Sequence, residues 1–131
     1  MIVLDTHVWI WWVSRSNELS SRVRKLLDGI AKPDFAMVSS ISVWEAALLA
    51  QRGRLRLSIP LADWLAHSES LPFLRFIPVD NRIAARSVLL PEPLHRDPAD
   101  RIIVATALQF GATLVTRDEK LRGYSGVDTV W

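Results

Sequence analysis

The sequence contains no cysteine, which removes disulfides, thiol catalysis and cysteine-ligated zinc together. It also lacks an uninterrupted apolar run of the ~18 residues that a membrane span needs. The opening stretch, MIVLDTHVWIWWV, has no basic leader and is broken by Asp5. It therefore reads as a strand entering a helix, not as a signal peptide or a span. No internal repeat, low-complexity tract or linker stands out, and the net charge is only +2. No membrane partner is expected, and a cysteine-free chain is compatible with a cytoplasmic location.

What the sequence does have is apolar material. Half of its 131 residues are hydrophobic and 23% are charged, the balance of one folded domain over residues 1–131. The pI is about 9.5 because thirteen of the sixteen basic residues are arginine. If Asp5, Glu45, Asp97, Asp100 and Asp118 share one pocket, five of fourteen acids are withdrawn, and nine face sixteen bases elsewhere. An acidic pocket on a basic body suits a metal site that must approach phosphates.

Apolar runs alternate with helical patterns along the chain. Strands are expected at Ile2–Leu4, Phe35–Val38, Leu74–Val79, Thr113–Val115 and Val127–Val130. Pro78 marks the third as an edge strand or as its end. Helices are expected over Thr6–Val13, Leu19–Ile30, Val43–Arg52, Arg82–Leu89, Ala99–Phe110 and Glu119–Arg122. A further one, LADWLAHSES, follows Pro60, which fits a helix start. Arg54–Leu57 (RLRL) reads as a short extended segment. This alternation implies an α/β fold with a parallel sheet, and such sheets bind ligands at the carboxyl ends of their strands.

Asp5 directly follows the first strand, Asp118 closely follows the TLVT strand, and Glu45 lies on the helix after the second. Each acid also has a plainer role. Asp5-Thr6 can cap the first helix, and Ser42-Val43-Trp44-Glu45 matches the capping box S-x-x-E. Asp97-Pro98-Ala99-Asp100 looks like an N-cap, a proline at N1 and an acid at N3; Asp118 can cap the short helix after it. Taken together on one edge, the acids favour a hard divalent cation with oxygen ligands, since crowded carboxylates otherwise repel.

The ordered segments LDTHVWIWW, SSISVWEAALLAQRGRLRL, HRDPADRIIVATAL and ATLVTRDEKL resemble the PIN domain, and within it the VapC-type toxin ribonucleases of bacterial toxin–antitoxin pairs. The resemblance spans essentially the whole chain. It implies a sheet in the order 3-2-1-4-5 flanked by helices, and RNA cleavage dependent on Mg²⁺ or Mn²⁺. Its four acids fall on Asp5, Glu45, Asp100 and Asp118, its hydroxyls on Thr6 and Thr116, and a further acid on Asp97. It also implies an RNA substrate, a cognate antitoxin and a homodimer.

Two other functional readings stand beside this one. A phosphatase of the haloacid-dehalogenase type wants an Asp two residues after Asp5, where His7 stands. A non-catalytic RNA- or protein-binding module of the same fold predicts binding without metal-dependent cleavage. Arg52, Arg54 and Arg56 form either a solvated face or an RNA backbone contact. His7 reads as packed or solvated, and His95 as a solvated loop residue or a phosphate contact. The tryptophans read as core or interface residues, with at least one of Trp11 and Trp12 facing outward.

Overall fold

In the computed structural model, which describes all 131 residues, the short apolar runs become five parallel strands. They are β1 Ile2–Leu4, β2 Ala36–Ser39, β3 Leu74–Ile77, β4 Thr113–Val115 and β5 Thr129–Val130. Their order is β3-β2-β1-β4-β5, the expected one. β1 is central: Val3 stands opposite Met37 on one side and Leu114 on the other. Seven helices connect and flank the strands: α1 Thr6–Val13, α2 Ser21–Asp28, α3 Ser40–Gln51, α4 Leu61–Ser70, α5 Asn81–Val88, α6 Pro98–Gln109 and α7 Glu119–Arg122.

The side-chain alternation of the strands splits the core into two layers. Leu4, Ala36, Val38 and Val115 pack with Val8 and Trp9 of α1, Val23 and Leu27 of α2 and Trp64 of α4. Val3, Met37 and Leu114 point the other way, against Ile103, Val104 and Ala107 of α6 and Leu121 of α7. Central strands buried on both faces explain why their sequences read as unbroken apolar runs. Trp9 is fully buried between Trp64 and Phe76, with its indole nitrogen donating to Ser68 Oγ.

Several boundaries move. α3 starts three residues earlier than expected, because Ser39 is its cap and accepts from the Ile41 amide. The capping box at Ser42–Glu45 is therefore not formed, and Glu45 lies in the second turn. Pro60 precedes α4 as its cap residue instead of occupying the first turn. β3 is both an edge strand and ends just before Pro78. The RLRL segment forms no strand, although Leu55 and Leu57 pack against the core while Arg54 and Arg56 are exposed. Gly53 and Gly111 follow α3 and α6 with φ of 70° and 60°, left-handed values that glycine adopts without strain. No helix is long and apolar enough to cross a membrane.

Candidate active site

The carboxyl edge of the sheet is where the acids gather, and the parallel register puts them there. Asp5 leaves β1 at the centre of that edge. Its amide donates to the Val115 carbonyl, so the pairing with β4 fixes its position. Its Oδ1 accepts from the Thr6 amide at 2.8 Å, capping α1. Its Oδ2 accepts from the Thr116 hydroxyl at 2.7 Å. That hydroxyl oxygen in turn receives the Asp118 amide at 3.0 Å. Thr116 is fully buried, so one hydroxyl ties together the ends of β1 and β4 and the start of α7.

Glu45 enters from α3. Its Oε1 makes a short hydrogen bond with the Thr6 hydroxyl, which also lies 2.8 Å from the buried Ser42 Oγ. A hydroxyl carries one proton. With that proton given to the carboxylate, Ser42 donates to Thr6, and the chain Ser42–Thr6–Glu45 is satisfied throughout.

Asp100 enters from the first turn of α6. Asp97 caps that helix, accepting the Asp100 amide at 3.1 Å, with Pro98 at the first position. Asp100 Oδ2 pairs with His95 Nε2 at 2.6 Å. This contact replaces the expected solvated-loop or phosphate role of His95, and the spacing H-x-x-x-x-D alone could not signal it. The loop carrying His95 is clamped by Arg101, whose guanidinium donates to the carbonyls of Ser87 and Leu94 at 2.8 and 3.2 Å.

The protonation of these groups records their burial first and one another's charge second. Burial pushes the Glu45 carboxyl up to about 7, reinforced by the charges of Asp100, Asp5 and Asp97 and opposed by the Thr6 hydrogen bond. Burial likewise raises Asp100 to about 6, with Asp5 and Asp97 adding to it and His95 opposing. Asp5 is raised chiefly by burial, and Asp118 adds to it. Asp5, Glu45, Asp97 and Asp100 thus share one electrostatic neighbourhood, and Asp118 joins it through Asp5. Asp118 itself is exposed and caps α7, accepting from the Lys120 and Leu121 amides at 2.8 and 3.4 Å.

His7 is exposed and lines two adjoining hollows. One, of about 190 Å³, is shared with Asp5, Trp11, Arg117 and Asp118. The other, of about 430 Å³, is shared with Trp44, Glu45, Asp97 and Pro98. Neither Trp11 nor Trp12 projects outward: both are half-buried, Trp11 beside Trp131 and Trp12 beside Phe73. The exposed tryptophan is Trp44, 58% accessible beside the acids. Arg52, Arg54 and Arg56 follow the far end of α3, which runs ~18 Å from its start at this edge.

The donor set fits a hard divalent cation, since every group offered is a carboxylate or hydroxyl oxygen and burial makes mutual repulsion costly. In this arrangement no three of the chain's acidic or imidazole side chains meet at one point within ligand distance. Mg²⁺ keeps several of its waters, so such a set can hold it through water as well as directly.

The PIN domain family model matches residues 2–127. The chain belongs to the PIN domain family. This PIN domain is 36% identical to ribonuclease VapC22 of Mycobacterium tuberculosis, over 94% of the chain and 91% of that protein. Its fold resembles that of FitAcB from Neisseria gonorrhoeae, with a TM-score of 0.71, 26% identity, and coverage of 100% and 97% of the two chains. VapBC2 of Rickettsia felis, bound to a DNA fragment from its promoter, gives the same TM-score at 20% identity, covering 99% and 98%. At that identity the likeness speaks for the fold alone.

Proposed function

We propose that this PIN domain is a divalent-metal-dependent endoribonuclease and the toxin of a toxin–antitoxin pair. The observation that carries the reading is the convergence of Asp5, Glu45 and Asp100 from three separate segments onto one edge, where burial raises Glu45 and Asp100 and the charge of Asp5 adds to both shifts. The relationship to a named ribonuclease over 94% of the chain supplies the reaction class.

In this reading Asp5, Glu45, Asp100 and Asp118 hold Mg²⁺ or Mn²⁺ directly or through water. When bound, the cation polarises the phosphodiester, helps deprotonate water and stabilises the leaving oxygen. The protein's own part is to place and orient the carboxylates. Thr116 fixes Asp5 through Oδ2, and Thr6 fixes Glu45 through Oε1, so each keeps its other lone pairs for ligation. Asp97 sets the start of α6 and thereby the position of Asp100. No side-chain nucleophile is required.

The reading takes as partners an RNA substrate, an antitoxin and a second copy of the chain. Val88 and Leu89, 74% and 78% exposed at the end of α5, offer apolar surface for association. The test is incubation of structured RNA with purified protein in Mg²⁺, in Mn²⁺ and in EDTA. Cleavage with either metal and none with EDTA is expected. Binding without cleavage in either metal would make the chain a non-catalytic module.

A further inference from the structure

Arg117 stands between Thr116 and Asp118, yet its charge is not spent on the acids beside it. Its carboxylate partner is Glu18, 2.8 Å away and 99 residues distant in sequence. Its guanidinium also lies over the Trp11 ring, 4.4 Å from the centroid. Trp11 is braced in turn by His7 and Trp131, at 5.5 and 6.2 Å between centroids. Arg117 therefore rests on an aromatic shelf on the wall of the hollow that Asp5 and Asp118 also line. Both members of the Arg117–Glu18 pair are about half exposed, at 50% and 56%, so water competes for them. An exposed pair of this kind is weak and exchangeable.

A site built from carboxylates repels a phosphodiester unless cations meet it. A metal ion answers the charge at the carboxylates, but the strand must still be held beside them. A stacked guanidinium has donors left after one goes to Glu18, in a fork that matches phosphate oxygens. We propose that this hollow is a seat for a backbone phosphate of the RNA strand. In it Arg117 is the receiving cation, Trp11 the shelf that orients it, and Glu18 the anion the phosphate displaces. The inference rests on the ribonuclease reading above.

Binding of a labelled single-stranded RNA oligonucleotide is measured in EDTA over a series of salt concentrations. Arg117→Ala is expected to bind about tenfold more weakly, the cost of one charge-assisted contact. It should also reduce the slope of log affinity against log salt by about 0.7, one phosphate's worth for a single strand. Arg117→Lys falls between, keeping the charge without the fork. Glu18→Gln binds roughly two- to threefold more tightly, because the competing anion is gone. In the triple variant Arg52→Ala, Arg54→Ala, Arg56→Ala, at the far end of α3, the slope stays as in the wild type.

An Arg117→Ala protein with wild-type affinity and slope, while the wild type binds and cleaves RNA, overturns this phosphate seat and leaves the ribonuclease reading intact. Loss of thermal stability without a change in slope also overturns it, making Arg117 a structural residue. A wild type that neither binds nor cleaves RNA removes both.

Discussion

The two corners of the acidic edge are built differently. At the Asp5 corner, strand ends do the positioning: the β1–β4 pairing fixes the backbone, and the fully buried Thr116 links Asp5 to Asp118 through one hydroxyl. At the Asp100 corner the carboxylate hangs from the first turn of α6, and its partner His95 arrives on a loop held by Arg101. One corner is part of the sheet. The other is assembled around it from a helix cap and a loop. In the proposed site, the sheet sets one group of candidate ligands and a helix cap with its loop sets the other.

The largest effect expected from breaking either corner is on chemistry. Asp5→Asn and Asp100→Asn should each lower RNA cleavage by roughly a hundredfold or more, because several kcal/mol of metal-derived stabilisation is lost and each 1.36 kcal/mol is tenfold. Circular dichroism should show both variants folded. Most of the activity surviving in either would remove that residue from the site.

Next in size is loss of a supporting partner. His95→Ala should raise the Mg²⁺ concentration needed for half-maximal cleavage about tenfold, the usual cost of an outer partner, with little change in melting temperature. Thr116→Val should do the reverse in emphasis. It removes a buried hydroxyl that serves both Asp5 and the Asp118 amide, and should cost about 1–3 kcal/mol of stability in EDTA. Equal stability losses in urea titrations of the two variants would erase the distinction between a sheet-built and a loop-built corner.

The smallest effect is one of pH. The carboxyls of Glu45 and Asp100 are raised on folding, from 4.5 to about 7 and from 3.8 to about 6. Between those limits the folded state holds more protons than the unfolded chain, so this contribution is fully present below pH 3.8 and is lost as pH rises through about 6 and about 7. In EDTA the melting temperature should decline across that window from this contribution, and Glu45→Gln should flatten the decline. A Glu45→Gln profile parallel to the wild type would contradict the shift assigned to Glu45.

The Asp5 corner was largely legible in the sequence. A three-residue apolar run followed by Asp-Thr, and TLVT followed by Arg-Asp, place acids at strand ends because parallel strands buried on both faces leave few alternatives. Asp97-Pro98 likewise announced the start of α6. The Asp100 corner was less legible, since the His95–Asp100 contact depends on how a proline-rich loop folds back over α6. The start of α3 was misread for a local reason. Ser39, Ser40 and Ser42 can all cap a helix, and the spacing to Glu45 favours Ser42. The choice falls on Ser39 because β2 runs that far in register with β3, pairing Ser39 with Ile77. Arg117 gave no local signal either, as its partners Trp11 and Glu18 lie about a hundred positions away. The exposed tryptophan was sought in the Trp11-Trp12 pair, where Trp131 and Phe73 cover both rings. It is Trp44 that stands in solvent.

In the proposed reading Asp5, Glu45, Asp100 and Asp118 form one cation site, beyond the caps that Asp5 and Asp118 make for α1 and α7. The most direct test is the thermal melt of wild type and Asp100→Asn near pH 7.5, each in EDTA and in Mg²⁺. A cation that binds only the folded state adds about 2.7 kcal/mol at a hundredfold excess over its dissociation constant, or roughly 10 °C for a domain of this size. The wild type should gain stability of that order with Mg²⁺. Asp100→Asn should be at least as stable as the wild type in EDTA, because one repelling charge is gone, and should respond less to Mg²⁺. A wild type indifferent to Mg²⁺ and Mn²⁺, together with an Asp100→Asn protein destabilised by about 1 kcal/mol under every condition, is the pattern of a first-turn acid serving only its helix and His95, and would contradict the shared site.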